Sequence, residues 1–224
     1  MKAFRNRVKT TVLALVMVAC MVASVLTGFG TVEAKADQTP VQFAYYNRDT
    51  GEFTTESRNA YVEVSSESNL PGLTMGNGKW YVFKTTVGIN SRITVSGTAN
   101  IILVDGCVFT ASKGINVASG SALNIYGQGT INGENSTPGE LIATGWGKQA
   151  GIGGGDGESG GCITINGGEV TATGDSNGAG IGGGDHGAGG NITINGGEVT
   201  ATGGNNGAGI GGGYSGAGYP SQKP

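Results

Sequence analysis

The sequence predicts an all-β chain wound into a triangular solenoid, and two observations carry that prediction. The first is a repeat. The words GELIATGWGKQAGIGGG, GEVTATGDSNGAGIGGG and GEVTATGGNNGAGIGGG follow one another, with a step of 29 residues between Glu140, Glu169 and Glu198 and again between Ile152, Ile181 and Ile210. A fixed period of this size marks an array in which each copy is one supersecondary unit. The second is what each copy contains. Ile163 and Ile165 share a face, as do Val170 and Ala172, and as do Ala179 and Ile181, with polar or small residues between them. Alternation with a period of two is the signature of half-buried strands. Asn166-Gly167-Gly168, Gly174–Gly178 and Gly182-Gly183-Gly184 separate these segments. Asn and Gly accept positive φ, so each separator turns a corner. Three strands and three corners make one triangular coil.

Such a coil cannot stand alone. Its larger inward residues are only Ile163, Ile165, Val170 and Ile181, too few to offset the entropy of ordering its backbone. Stacking pairs every strand above and below and sets like residue on like. The expected columns are Ile152–Ile181–Ile210 and Leu141–Val170–Val199.

Ahead of the repeats, residues 1–36 read as a cleaved signal peptide helix. Lys2, Arg5, Arg7 and Lys9 form a basic start, Val12–Phe29 an apolar run, and Ala34-Lys35-Ala36 a small-x-small cleavage site, with Val32-Glu33-Ala34 as a competing cut. The run reaches membrane-spanning length, so an uncleaved anchor is the alternative. Val18-Ala19-Cys20 is a poor lipobox, because apolar sequence continues beyond Cys20. After cleavage the chain is acidic overall, which argues against nucleic acid or an anionic membrane as partner. Secretion to the extracellular cell surface follows from the leader.

Residues 37–78 repeat least and are assigned as an N-terminal β cap over the open edge of the first coil, with a separate small β domain as the alternative. Residues 79–133 carry shorter coils with a step of 22, Ile93 on Ile115 and Ile101 on Leu123. Glu134–Pro138 break the pattern, so 134–139 is a loop. The 29-residue coils occupy 140–218, and 219–224, with Pro220 and Pro224, is a tail or a truncation point, with further domains expected beyond Pro224. Cys107 alternates with Phe109 and Ala111 as a small core residue, and Cys162 takes the slot of Asn191 in the next coil. Two coils apart, the pair is read as free thiols.

The stretch WYVF…RITVSGTANIILVDGCVFTASKGINVASGSALNIYGQ, followed by AGIGGG and ITINGG words, resembles secreted surface proteins of anaerobic, mainly Gram-positive bacteria that are described as adhesin-like or carbohydrate-binding-domain proteins. The resemblance covers Trp80–Gly213. It implies a right-handed parallel β-helix outside the cell, often joined to further repeat modules.

Several constellations could carry chemistry. Glu140, Glu169 and Glu198 form an acidic ladder, either a solvated turn row or a calcium or cationic-sugar site. Neighbouring carboxylates at strand spacing repel by roughly 0.9 kcal/mol in water. Asp156, Glu158 and Asp185 follow the GGG turns and are candidate calcium ligands, although the frame of a calcium-binding nonapeptide is absent and Tyr214 replaces the acid in the third copy. Outward Thr ladders, such as Thr171 and Thr173, simply suit exposed strands. For carbohydrate, the candidates are Trp146 in a turn, Tyr126 beside the inward Ile125, and Tyr214 at a corner, each an aromatic able to stack on a sugar face. Catalysis has little support: His186 is the single histidine and Lys148 the only basic residue of the three repeats, whereas a polysaccharide lyase needs a base beside acids, and a hydrolase needs two carboxylates across a cleft.

The expected function is therefore a non-catalytic, adhesin-like module for an extracellular polysaccharide or a host or cell-wall glycan. No cofactor is expected other than possible calcium. A purely structural stalk is the alternative, and a polysaccharide lyase or hydrolase the second.

Overall fold

The computed structural model describes residues 39–47, 50, 52–65, 72–128 and 136–216. The leader, Glu134, the tail 219–224 and its prolines lie outside the described residues.

The chain enters through a hairpin, β1 (Val41–Asn47) and β2 (Glu52–Arg58). It then winds as a right-handed parallel β-helix. An opening turn supplies β3 (Val62–Val64) and β4 (Thr74–Gly76). Five coils of three strands follow. They are β5 (Lys79–Phe83), β6 (Val87–Ile89) and β7 (Ile93–Ser96); β8 (Thr98–Leu103), β9 (Val108–Ala111) and β10 (Ile115–Asn116); β11 (Ala122–Gly127), β12 (Glu140–Thr144) and β13 (Ile152–Gly153); β14 (Cys162–Ile165), β15 (Glu169–Thr173) and β16 (Ile181–Gly182); and β17 (Asn191–Ile194), β18 (Glu198–Thr202) and β19 (Ile210–Gly211). Each coil gives one strand to each of three parallel sheets, ordered β17-β14-β11-β8-β5-β3, β19-β16-β13-β10-β7-β4 and β18-β15-β12-β9-β6.

The 29-residue register is the one the repeat words predict. Leu141, Val170 and Val199 stand in one column, Ile152, Ile181 and Ile210 in another, and Cys162 pairs with Asn191. In the shorter coils Ile93 stands on Ile115 as expected. Ile101, however, stands on Ile125, while Leu123 stands on Ala99. The expected match of Ile101 to Leu123 was two residues out. A slip of two keeps every side chain on its own face, so the alternation of apolar residues cannot detect it.

The core is a continuous stack of these columns. Ile101, Phe109, Ile115, Leu123, Ile125, Leu141, Ile152, Ile163, Val170 and Ile181 are all fully buried. Phe83 and Phe109 stack with ring centroids 3.9 Å apart and planes 17° apart, joining the first two coils. Cys107 is buried and Cys162 exposed, both as free thiols; burial pushes the Cys107 thiol up to about 11.

The AGIGGG word is explained by backbone spacing. Gly153, Gly182 and Gly211 hold φ of 139°, 137° and 139°, a region open only to glycine. A Cβ on Gly153 would lie 1.9 Å from the carbonyl oxygen of Gly182, and one on Gly182 equally close to that of Gly211. Only glycine lets these short strands stack.

The segment 37–78, expected as an N-terminal β cap, divides into the hairpin and the first solenoid strands. Val62–Val64 and Thr74–Gly76 are already solenoid strands. The hairpin lies against the outer side of the largest sheet, where β1 meets the end of β11 in an antiparallel bridge, Ala44 to Gly127. The reason is apolar residues on the outward face of that sheet. Val82 and Ile102 point away from the solenoid axis, and they are buried with Val41, Phe43 and Tyr61 in a second small core. Phe43 meets Trp80 and Tyr126 at 5.0 and 4.8 Å between ring centroids. Arg58 closes the cluster, its guanidinium 4.5 Å from the Trp80 ring.

Candidate functional site

Each of the last three coils makes two outward turns beside its two-residue strand. The turns run Gly145–Gln149 and Gly154–Glu158 in the first copy, and they recur 29 residues on. A neck joins them, from the Ala150 N–H to the Gly154 carbonyl at 3.1 Å, from Ala179 to Gly183 at 3.0 Å and from Ala208 to Gly212 at 3.1 Å. The two turn rows are also linked between coils, by the Asp185 N–H to the Lys148 carbonyl and the Tyr214 N–H to the Asn177 carbonyl, both at 2.9 Å. The result is a ridge running along the stack.

Side chains interlock on that ridge. Asp185, 1% exposed, accepts from Lys148 Nζ at 3.0 Å and from Asn177 Nδ2 at 3.1 Å, both on its Oδ2. Asn177 in turn accepts from Asn206 Nδ2 at 2.9 Å. The other oxygen, Asp185 Oδ1, has no hydrogen-bond partner and lies 3.6 Å from His186 Nε2. Burial pushes the Asp185 carboxyl up, but the Asn177 amide, the Lys148 ammonium and His186 outweigh it and hold the group below its ordinary value. The hydrogen bond to Asp185 raises Lys148 above the usual lysine value. His186 sits at φ 60°, a backbone strain tolerated because its N–H reaches the Tyr214 carbonyl at 2.8 Å. Its ring meets that of Tyr214 edge-on, with centroids 5.9 Å apart.

Of the aromatics proposed for sugar stacking, two are on this ridge. Trp146 is 61% and Tyr214 42% exposed. Lys113 lies over one face of the Trp146 ring, its Nζ 4.7 Å from the ring centre, and the Lys148 N–H in the same turn donates to Asp175 Oδ2 at 3.2 Å. Tyr126 does point out from its coil, but the hairpin covers it. It packs on Phe43, Trp80 and Tyr45, and burial raises its hydroxyl pKa. It belongs to the second core.

The acids expected to gather round calcium are separated. Glu158 Oε2 accepts from the Gly155 N–H at 3.0 Å and from Asn116 at 3.3 Å. Asp185 is engaged by Lys148, and Asp156 is exposed on its own turn. Among the described residues no three His, Cys, Asp or Glu side chains converge on a point. Glu140, Glu169 and Glu198 do stack in one register row, on a different sheet from the ridge.

Sequence reasoning missed the Lys148–Asp185 pair. A signal existed: the short AGIGG neck sets the two turns of a copy side by side, and stacking brings the second turn of the next copy beside Lys148. It also missed Arg92, whose contacts lie 21 to 62 residues away.

A family model described as Beta helix repeat matches residues 139–156, 163–185 and 192–214, the three copies that carry the ridge. No curated protein and no solved structure matches the chain.

Proposed function

We propose that the chain is an exported, extracellular binding protein whose turn ridge contacts polysaccharide without catalysing a reaction on it. The observation that carries this reading is Trp146: a large aromatic, 61% exposed, on a rigid turn and two residues from the Lys148–Asp185 pair. A flat exposed ring beside fixed donors and acceptors suits a sugar, which offers an apolar face and hydroxyls at its rim. Tyr214, in the second turn of the third copy, offers a second ring. The ridge itself is fixed by backbone bonds between coils, so little ordering is needed on binding.

The test is a glycan array probed with the exported chain, with calcium and then with chelator, alongside Trp146→Ala. Specific binding that Trp146→Ala reduces at least tenfold supports the reading. Loss in chelator would give the acidic ladder a role in holding calcium. A blank array from a folded chain would overturn the reading and leave a repeat stalk that spaces other parts of a surface protein.

A further inference from the structure

The ridge begins abruptly. Residues 112–114 join β9 to β10 and residues 117–121 join β10 to β11, where the next coil has 145–151 and 154–161. The longer connections are the outward turns, so the first 29-residue copy ends in a step that faces the shorter coils. Both of its turns touch the foot of that step. Trp146 carries Lys113 on its ring, and Glu158 Oε2 accepts from Asn116 Nδ2 at 3.3 Å. Asn90 and Ser112 are exposed at the same corner of the shorter coils, joined by a hydrogen bond from Ser112 Oγ to Asn90 Oδ1 at 3.1 Å. Charge is sorted across the step. The acids of the ridge gather on Lys148: Asp185 bonds its ammonium, Asp175 accepts its N–H, and Asp156 acts on it through space. At the foot the balance is reversed. Among the described residues neither Lys113 nor Arg92 makes an ion pair, and the Arg92 guanidinium lies on the Lys113 carbonyl. Glu158 offsets Arg92, but its Oε2 is already held by Asn116 and the Gly155 N–H. Two cations stand against one carboxylate in a chain that is acidic overall.

We propose that the step takes an acidic sugar, a uronate unit of a polysaccharide, with its ring on Trp146 and its carboxylate on Lys113 Nζ. The inference rests on the polysaccharide-binding reading above and names the class of sugar. Lys113 now rests on the indole through a cation–π contact. Such a contact is weak at an exposed site, and a four-carbon stem lets the ammonium move to the rim of the ring. An entering sugar lays its apolar face on the indole. The lysine then exchanges the ring for a carboxylate, a charge-assisted bond that a neutral sugar does not offer. Arg92 does not touch the ligand; its buried charge adds to the positive potential at Lys113. The orientation of the sugar follows. Its carboxylate turns to the foot of the step and its hydroxyls turn to Asp175, which fills the slot of Trp146 in the next copy and accepts hydrogen bonds. The negative charge of the whole chain opposes the ligand only at long range, where physiological salt screens it beyond ~8 Å.

The exported full-length chain is titrated calorimetrically with oligomers of galacturonate, glucuronate and mannuronate, each as the free acid and as its methyl ester. The ester keeps the shape of the sugar and removes its charge. Neutral gluco-, xylo- and manno-oligosaccharides complete the panel. At least one uronate is expected to bind about tenfold or more tightly than its own ester. Lys113→Met keeps an apolar stem over the ring and the backbone carbonyl that Arg92 uses. It is expected to bring acid and ester to within about twofold of each other while ester binding persists. Trp146→Ala weakens both, and neither variant changes the circular dichroism spectrum. Esters or neutral oligosaccharides that bind as well as the acids, binding on the glycan array confined to uncharged sugars, or a preference that survives Lys113→Met would each overturn the acidic-sugar inference and leave the polysaccharide reading standing. A folded chain that binds nothing in the panel or on the array removes that reading, and the inference with it.

Discussion

The guanidinium of Arg92 donates to the carbonyl oxygen of Ala150 at 2.9 Å, across 58 residues of chain and two coils of the solenoid. On its way it bonds the Lys113 carbonyl at 3.0 Å, and its second nitrogen reaches the Gly153 and Gly154 carbonyls at 3.3 and 3.2 Å. Gly114 makes room, since a Cβ there would lie 2.7 Å from the Arg92 nitrogen. Arg92 is thus a pin that fastens the shorter coils to the first 29-residue copy. Burial pulls its pKa down to about 10, which leaves it charged at neutral pH.

Replacing Arg92 by Met keeps most of its apolar bulk and removes the fork of donors. The expected cost is about 2–4 kcal/mol, the range for orphaning several buried acceptors at once. Urea unfolding followed by circular dichroism measures it. Arg92→Lys is expected to recover only part of the loss, because an ammonium cannot serve four carbonyls in one plane.

The Lys148–Asp185 pair gives stability a pH dependence whose sign follows from the two shifts. The Asp185 pKa is lowered on folding, so its contribution is complete above the unfolded value of 3.8 and is lost as pH falls through the lower folded value. The Lys148 pKa is raised, so its contribution is complete below 10.5 and is lost as pH climbs through the higher folded value. Asp185→Asn is expected to shrink the stability difference between neutral pH and pH 3. A thermal-melt series at both pH values, wild type against variant, decides it, and an unchanged difference would refute the assignment.

Two glycines separate the demands of close stacking from those of flexibility. Gly182→Ala puts a methyl into the Gly211 carbonyl at a φ of 137°, so a loss of about 2–4 kcal/mol, or failure to fold, is expected. Gly88 lies in β6 with open space around it, and Gly88→Ala is expected to change stability by no more than about 1 kcal/mol in either direction. Denaturation midpoints of the two variants make the comparison.

Phe43→Ala is expected to loosen the hairpin while leaving the solenoid intact. It empties the centre of the outer core at a cost of about 3–5 kcal/mol, and that core holds only the hairpin. Trp80 then meets water, so its fluorescence shifts to the red. The measurement is made with Trp146→Phe, which leaves Trp80 as the single tryptophan of the two present. Limited proteolysis is expected to cut within 41–58 first. A blue-shifted Trp80 in the variant would show that the hairpin does not depend on Phe43.

The sequence carried the solenoid in its plainest form where copies are nearly identical. Ile152, Ile181 and Ile210 could be aligned by eye, because a repeated word states its own register. In the shorter coils no word repeats, and Ile101 was set on Leu123 rather than Ile125, a two-residue slip that the alternation permits. The hairpin's seat on the outer face of the sheet was not legible, because outward Val82 and Ile102 look, in sequence, like any apolar residues of a strand. Tyr126 was lost to the sugar site for the same reason: pointing away from the axis was equated with meeting solvent. Lys148 was legible as an isolated base, yet its partner Asp185 stands 37 residues on and becomes a neighbour only once the AGIGG necks have closed and the copies have stacked.

The three parallel sheets have a mechanical consequence. Their strands run across the stack, so the hydrogen bonds between coils lie along its length, in line with any pull between the two ends. Loaded this way, the bonds of one coil give way without those of the next being strained equally, and the repeat region peels from its end like tape. Each 29-residue copy released adds roughly 100 Å of extended chain, at ~3.3–3.6 Å per residue. A tether built in this manner lengthens by nearly equal steps under tension, each step one copy of the same word.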